Sequence, residues 1–140
     1  QGTSSLVGFV APDLQNEFYA TAARAVSMHC QQRGLQLVLA GRDLGLLDAL
    51  QARAAALEAT DRLRYVGRPD DDGLADWYRR AGVMAYPSMY EGFGLPVLEA
   101  LACGTPVVAS DAASIPEVTG DAAVLLPPPR RGETSEGRTP

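Results

Sequence analysis

Two glutamates eight residues apart are the side chains of this sequence best suited to chemistry. Glu91 and Glu99 bracket the segment EGFGLPVLEA, in which a helix is predicted to begin near Gly94. The first turn of a helix presents unpaired backbone N–H groups and the positive end of the helix dipole, which together suit a phosphate. The two carboxylates can accept hydrogen bonds from hydroxyl groups on either side of that phosphate. The combination suits a nucleotide-sugar, in which a diphosphate joins two hydroxyl-bearing rings.

The elements that must position these glutamates alternate along the chain. Continuous apolar runs, each followed by a helical pattern, predict a parallel sheet that is covered on both faces. The predicted strands are 6–11, 35–40, 63–66, 83–86, 107–109 and 123–126, and the predicted helices are 16–33, 44–59, 73–80, 94–103 and 115–118. Right-handed crossovers then give a single doubly wound α/β domain over residues 1–127, a Rossmann-like α/β/α sandwich of about six strands.

The sequence around the glutamates resembles a known enzyme family. The segment YPSMYEGFGLPVLEALACGTPVVASDAASIPEVTGDAAVLL is similar to the donor-binding half of retaining glycosyltransferases of family 4, which have the GT-B fold and an E-x7-E motif, and the similarity covers about residues 37–127. It implies that Glu91 contacts hydroxyls of the donor sugar and that Glu99 accepts hydrogen bonds from the ribose. It also implies ligand contacts at Gly92, Phe93, Gly94, Leu95, Gly41, Gly67, Arg68 and Ser88.

Several of these residues have a structural interpretation as well. Gly92 and Gly94 permit either a close approach of the ligand or the turn from strand to helix. Phe93 is expected to pack in the core rather than to stack on a ligand. Glycines at strand ends, such as Gly41 and Gly67, occur in any α/β protein, so both interpretations stay open for them.

The amino-terminal residues resemble a different family. About residues 4–40, which include SSLVGFVAPDLQNEFYATAARAVSMHC, are similar to the first strand and helix of LacI-type repressor cores and periplasmic sugar-binding proteins. That resemblance places Asn16, Phe18 and Tyr19 at positions that contact sugar in those proteins. We therefore interpret the chain as a chimera, engineered or natural, in which residues 1–40 replace the first β–α unit of the donor-type domain formed by residues 41–127.

This exchange removes cations that a diphosphate needs. Family 4 enzymes pair an arginine after the first strand with a lysine a few residues later, whereas all twelve basic residues here are arginines. Asp13 and Glu17 stand in that region instead. Like charges at contact distance from a diphosphate cost on the order of several kcal/mol at an effective dielectric constant of about 20. We therefore expect weak donor binding and negligible transfer, with Glu91 an inherited sugar contact and no catalytic residue assigned.

Composition and motif content exclude other functions. A chain of 140 residues with 46% hydrophobic and 21% charged residues predicts one globular domain. The resemblance to family 4 implies that this domain is half of a two-domain GT-B enzyme. The net charge of -5 argues against nucleic-acid binding, and no apolar run is long enough for a membrane span. Cys30 and Cys103 are expected to be buried and lack the spacing of a metal site, so no cofactor is predicted. His29 is not expected to be catalytic.

Three functions remain at this point. The favoured one is a folded chimeric domain without catalysis and with at most weak binding of a UDP- or GDP-sugar. The first alternative is the donor-binding domain of a retaining glycosyltransferase that acts with a separate acceptor domain, and the second is a carbohydrate-binding module. A cytoplasmic location, a disordered tail over residues 128–140, and self-association through domain swapping are further expectations.

Overall fold

One parallel sheet organises the chain in the computed structural model, which describes residues 4–13, 17–42, 47–56, 58, 60–87 and 93–127. The strands of the sheet are β1 Leu6–Asp13, β2 Gln36–Arg42, β3 Leu63–Gly67, β4 Val83–Tyr86, β5 Val107–Ser110 and β6 Val124–Leu126. The α-helices are α1 Glu17–Arg33, α2 Leu47–Ala56, α3 Asp71–Arg80, α4 Leu95–Ala102 and α5 Ile115–Thr119, and a 3-10 turn spans Thr60–Arg62. The tail 128–140 lies outside the described residues.

The strand order is β3-β2-β1-β4-β5-β6, with parallel pairing throughout. From β1 the chain first winds outward through β2 to β3, then crosses back to β4 and winds outward on the other side. This is the doubly wound topology predicted from the sequence, and the order reverses between β1 and β4. Within the described residues, no helix is both long and apolar enough to cross a bilayer.

Two apolar clusters hold the helices against opposite faces of the sheet. In the first, α1 and α2 pack on β1 and β2, with Phe9, Leu37 and Leu39 fully buried. In the second, α3, α4 and α5 pack on β4 and β5, with Met84 and Tyr86 at its centre. Alternate residues of a strand point to opposite faces, and this explains how neighbouring strand residues serve different clusters.

The two cysteines differ in environment. Cys30 is buried in the first cluster, as predicted, and burial raises the pKa of its thiol. Cys103, which was also expected to be buried, is only half-buried at the end of α4. Its position after the last helical turn exposes part of the side chain.

Helix α3 begins two residues earlier than the sequence pattern predicts. The pattern places its start at Gly73, whereas the helix starts at Asp71 with Asp70 as its N-cap. The Asp70 carboxylate accepts a hydrogen bond of 2.8 Å from the Gly73 backbone N–H. An aspartate in this position satisfies an N–H that the helix cannot pair internally, and it therefore fixes the first turn.

Candidate functional site

A cleft of about 310 Å³ opens at the carboxyl ends of β1 and β2, beside the start of α3. Its lining residues are Val10, Ala11, Ala40, Gly41, Arg68, Pro69 and Leu74. The cleft lies at the edge of the sheet where ligands of doubly wound proteins bind. Two of the predicted ligand contacts, Gly41 and Arg68, are thus brought together although they are far apart in sequence.

Gly41 has a packing reason to be glycine. Its φ is +144°, and a Cβ atom there would approach the Ala11 carbonyl oxygen to 2.1 Å, so no other residue fits without moving β1. The Gly41 carbonyl accepts a hydrogen bond of 2.7 Å from the Tyr65 hydroxyl. Gly67 also has a positive φ, of +70°, but nothing lies within 4 Å of its would-be Cβ. Gly67 therefore serves the turn out of β3 and leaves open space beside Arg68.

Helix α4 begins at the same edge of the sheet, as the motif predicts. Gly94 is its N-cap in a left-handed conformation, with φ +77°, and a Cβ there would lie 2.7 Å from Ile115 Cδ1. Pro96 in the first turn has no N–H, and the N–H groups of Val97 and Leu98 donate back to the Gly94 carbonyl at 3.0 and 3.3 Å. Among the described residues, the backbone donors left for a ligand at this end are those of Gly94 and Leu95.

The Glu99 carboxylate is held by a tyrosine from the neighbouring helix. Its Oε2 atom accepts a hydrogen bond of 3.1 Å from the hydroxyl of Tyr78, on α3. Tyr78 is only 3% exposed, whereas Glu99 is exposed to solvent. Burial, followed by the charge and hydrogen bond of Glu99, raises the pKa of the Tyr78 hydroxyl well above its usual value. The phenol therefore stays protonated and remains a donor to the carboxylate.

Sequence reasoning missed Tyr78 as a residue of this site. The available signal was a tyrosine on the apolar face of an amphipathic helix, because a buried phenol usually requires a hydrogen-bond partner. Spacing alone could not identify Glu99 as that partner, since the two residues are 21 positions apart and meet only when α3 and α4 pack together.

Phe93 corrects another expectation. It was predicted to lie in the core, but it is 54% exposed and precedes the N-cap of α4 at the edge of the sheet. Leu95 and Leu98 on α4 are also exposed, at 56% and 42%. The apolar side chain of Phe93 predicted burial, but no other described element covers this end of α4.

Tyr19 also lies where a sugar could not reach it. Its side chain is 7% exposed and belongs to the core cluster of α1 with Phe9 and Leu37. The resemblance to LacI-type proteins placed this ring at a sugar contact, whereas it packs against the strands of the sheet. This location removes one of the two aromatic contacts on which the carbohydrate-binding hypothesis depended.

Arginine supplies the positive charge available at the cleft. Arg68 is exposed and is the one basic residue with a described side chain that lines it. Elsewhere, Arg64 and Arg80 lie 5.0 and 4.5 Å from the centroid of the Trp77 ring, and Arg33 contacts His29. Over the part of the chain that is described, no three acidic, cysteine or histidine side chains cluster to hold a metal ion.

The other predicted contacts fall outside the described structure. Ser88, Glu91 and Gly92 lie in the segment 88–92, and Asn16 lies in 14–16. The side chains of Asp13, Glu17 and Phe18 are likewise outside it. Their roles stay predictions.

A protein-family model described as "Glycosyl transferases group 1" matches residues 5–137 of the chain. The match covers both segments that the sequence resemblances had assigned to different families. It thus includes β1 and α1 as well as the strands and helices that follow them.

The chain is also similar to individual curated proteins and to solved structures. The chain is 52% identical to O-antigen chain mannosyltransferase B of Escherichia coli over 66 residues, which are 47% of this chain and 17% of that protein. It is 40% identical to D-inositol 3-phosphate glycosyltransferase of Streptomyces bingchenggensis (strain BCW-1) over 89 residues, 62% of this chain and 20% of the relative. Sucrose-phosphate synthase from Thermosynechococcus elongatus superposes with a TM-score of 0.66 at 31% identity, covering 89% of this chain and 33% of that one. The chain spans about a sixth to a third of the length of these proteins.

Proposed function

The chain belongs to the group 1 glycosyl transferases, and we propose that it is a donor-binding domain that holds the nucleotide part of a nucleotide-sugar. The observation that carries the proposal is the common edge of the sheet at which the cleft, Arg68 and the start of α4 are found. The names of two relatives, a mannosyltransferase and an inositol 3-phosphate glycosyltransferase, support a sugar donor of this kind.

In the proposed binding mode, the nucleoside occupies the cleft beside Gly41 and Gly67, where short residues leave space for a base. The diphosphate lies between Arg68 and the backbone N–H groups of Gly94 and Leu95. Glu99 then accepts a hydrogen bond from the ribose. Glu91, with Ser88, Gly92 and Phe93 nearby in sequence, is assigned to the sugar side of the diphosphate.

We propose further that this chain alone binds its donor weakly and does not transfer the sugar. In transfer, the bond from the sugar's C1 to the diphosphate oxygen breaks, a bond to an acceptor hydroxyl oxygen forms, and the acceptor's proton passes to the departing phosphate. The leaving diphosphate gains charge in this step and needs preorganised positive groups. Arg68 and the end of one short helix supply little of that, because a helix terminus contributes only about 0.3 to 1 kcal/mol at the surface.

The origin of the first strand and helix is a separate proposal. A chimera predicts that residues 4–40 align with LacI-type proteins better than with glycosyl transferases. The family match over residues 5–137, which includes β1 and α1, instead supports a single glycosyl transferase origin for the whole domain. The chimeric origin, engineered or natural, stays a prediction that an alignment of many homologues would test.

Calorimetric titration tests the binding proposal. The chain is titrated with UDP, GDP and ADP and with one sugar conjugate of each, and the tightest ligand is then used for variants. Arg68→Ala is expected to weaken binding about fivefold to tenfold, because a charge-assisted hydrogen bond contributes about 1.5 to 3 kcal/mol before solvent screening.

Arg33→Ala is the matched control, since it removes the same charge from an exposed arginine at the far end of α1. It should leave the Kd unchanged. Failure of every nucleotide to bind, or an equal loss in both variants, would contradict the proposed function.

A further inference from the structure

We propose that Tyr78 is a positioning residue that presents the Glu99 carboxylate to the ribose of the bound nucleotide, with Thr105 holding Tyr78 in place. The inference rests on the proposed function and extends it to a residue that touches neither nucleotide nor sugar. It identifies the contact between α3 and α4 as part of the binding site.

The first argument is the contrast in burial between the two partners. Glu99 is exposed on α4, so its side chain would sample several rotamers if nothing held it. Ordering a free glutamate costs side-chain entropy, which the contacts of a ligand would have to offset on binding. The hydrogen bond from the buried Tyr78 hydroxyl to Oε2 orders the carboxylate beforehand. Among the described residues, it is the one hydrogen bond or ion pair of the Glu99 carboxylate, so Oε1 is left for a ribose hydroxyl.

The second argument is that Tyr78 is itself held in place at its backbone. Thr105, which is 3% exposed, donates its hydroxyl hydrogen to the Tyr78 carbonyl oxygen. The Thr105 backbone N–H in turn donates to the Ala100 carbonyl of α4 at 2.9 Å. A closed circuit therefore runs from α4 through Thr105 to α3 and back through Tyr78 to Glu99. The position of the phenol relative to α4 is consequently fixed from both sides.

The third argument concerns the protonation state of the phenol. Burial and the nearby carboxylate raise the pKa of the Tyr78 hydroxyl, so the hydroxyl is protonated near neutral pH and can donate to Glu99. The ring packs with Val97 and Ala100 in the second core cluster. A phenylalanine would occupy the same space, so Tyr78→Phe removes the hydrogen bond and little of the packing.

A purely structural role makes a different prediction. If Glu99 only satisfies a buried phenol, loss of the hydroxyl lowers stability but does not change which nucleotides bind. If Tyr78 positions Glu99, its loss weakens ligands that have ribose hydroxyls and spares those that lack them. The ratio of the two affinities separates these roles, because a general loss of stability affects both ligands alike.

The experiment compares UDP, GDP and ADP with their 2′,3′-dideoxy forms by calorimetric titration, using whichever pair binds wild type most tightly. Wild type should prefer the ribonucleotide by about tenfold. Tyr78→Phe and Thr105→Val should each reduce that preference at least threefold and leave the Kd of the dideoxynucleotide unchanged. Glu99→Gln should reduce it further, and adding Tyr78→Phe to Glu99→Gln should have no further effect, since the two residues act through one contact.

Val107→Ala is the control for stability. It truncates a buried residue of the same core cluster at the amino end of β5, away from the carboxyl edge of the sheet where the cleft opens. It should lower the melting temperature without changing the preference for the ribonucleotide. A preference that is unchanged in Tyr78→Phe would overturn the positioning role and leave the proposed function standing. If wild type binds no ribonucleotide, both are overturned together.

Discussion

The hydrogen bond between Tyr78 and Glu99 joins a core residue to the residue that we propose binds ribose. The phenol lies in the core, yet its partner is an exposed carboxylate on the next helix. Because the native environment favours the protonated phenol, the pKa of Tyr78 is higher in the folded chain than in the unfolded one. Folding stability must therefore depend on pH in the alkaline range.

The sign of that dependence follows from linkage. Below pH about 10, the phenol is protonated in both states and its contribution to stability is fully present. Above it, only the unfolded chain loses the proton, so stability should fall by about 1.4 kcal/mol per pH unit until the native phenol also ionises. Urea unfolding of wild type and Tyr78→Phe at pH 9, 10 and 11 measures this difference. Parallel curves for the two proteins would show that the native phenol is not protected.

A second residue-scale prediction concerns the N-cap glycine of α4. Gly94→Ala places a Cβ where φ is +77° and Ile115 Cδ1 lies 2.7 Å away, so it should cost about 2 to 3 kcal/mol of folding free energy. Gly104 is a matched control, because it has the same φ of +77° with nothing within 4 Å. Gly104→Ala should therefore cost only the conformational part, about 1 kcal/mol.

The two costs can be separated within one protein. Ile115→Val removes the Cδ1 atom that the new methyl group would meet. Added to Gly94→Ala, it should recover about half of the lost free energy in urea unfolding. If the double variant is no more stable than the sum of the singles predicts, the clash is not the cause.

Sequence patterns predicted these residues unevenly, and the reasons are physical. Glu99 and Gly94 could be located because the motif fixes them relative to a helix start. Tyr78 could not, since its contact depends on how two helices pack. Phe93 and Tyr19 were misjudged in opposite directions, because side-chain type alone does not say which positions of a fold another element covers.

At the scale of the elements, the sheet was the most predictable part of the chain. Continuous apolar runs bounded by glycine, proline or polar residues located all six strands, because the strands of a parallel sheet covered by helices are mainly apolar. The doubly wound topology also followed, since right-handed crossovers leave few alternatives. Helix ends were less predictable, because caps depend on local side-chain hydrogen bonds rather than on periodicity.

Helix α3 provides a test of such a cap. Asp70→Ala removes the acceptor of the Gly73 N–H and should lower stability by about 1 kcal/mol. Asp71→Ala is the control, since Asp71 is exposed in the first turn and contributes mainly through the helix dipole. Thermal unfolding by circular dichroism should show a loss at least twice as large for Asp70→Ala, and equal losses would rule out the cap.

At the scale of the whole molecule, the cleft and the start of α4 would form one side of the proposed site. They belong to a single sheet edge, with Phe93, Leu95 and Leu98 exposed beside it. A sugar acceptor must be held with its hydroxyl about 3 to 3.5 Å from the reacting carbon for transfer to occur at a useful rate. Binding of the donor can therefore be a property of this chain while transfer requires a second surface that orients the acceptor.

This division predicts a measurable but small stabilisation by donor, without turnover. For a Kd of about 1 mM, a nucleotide-sugar at about 5 mM should add RT ln 6, or about 1 kcal/mol, to the free energy of unfolding. In a domain of this size that corresponds to a rise in melting temperature of about 3 to 5 °C. Arg68→Ala should remove most of the rise and Arg33→Ala none of it.

Over the same range of concentration, no release of nucleoside diphosphate should be detectable, because Arg68 and one helix terminus cannot stabilise the leaving group. A rise above about 10 °C, or steady release of the diphosphate by the chain alone, would mean that the site holds more positive charge than Arg68 and α4 supply.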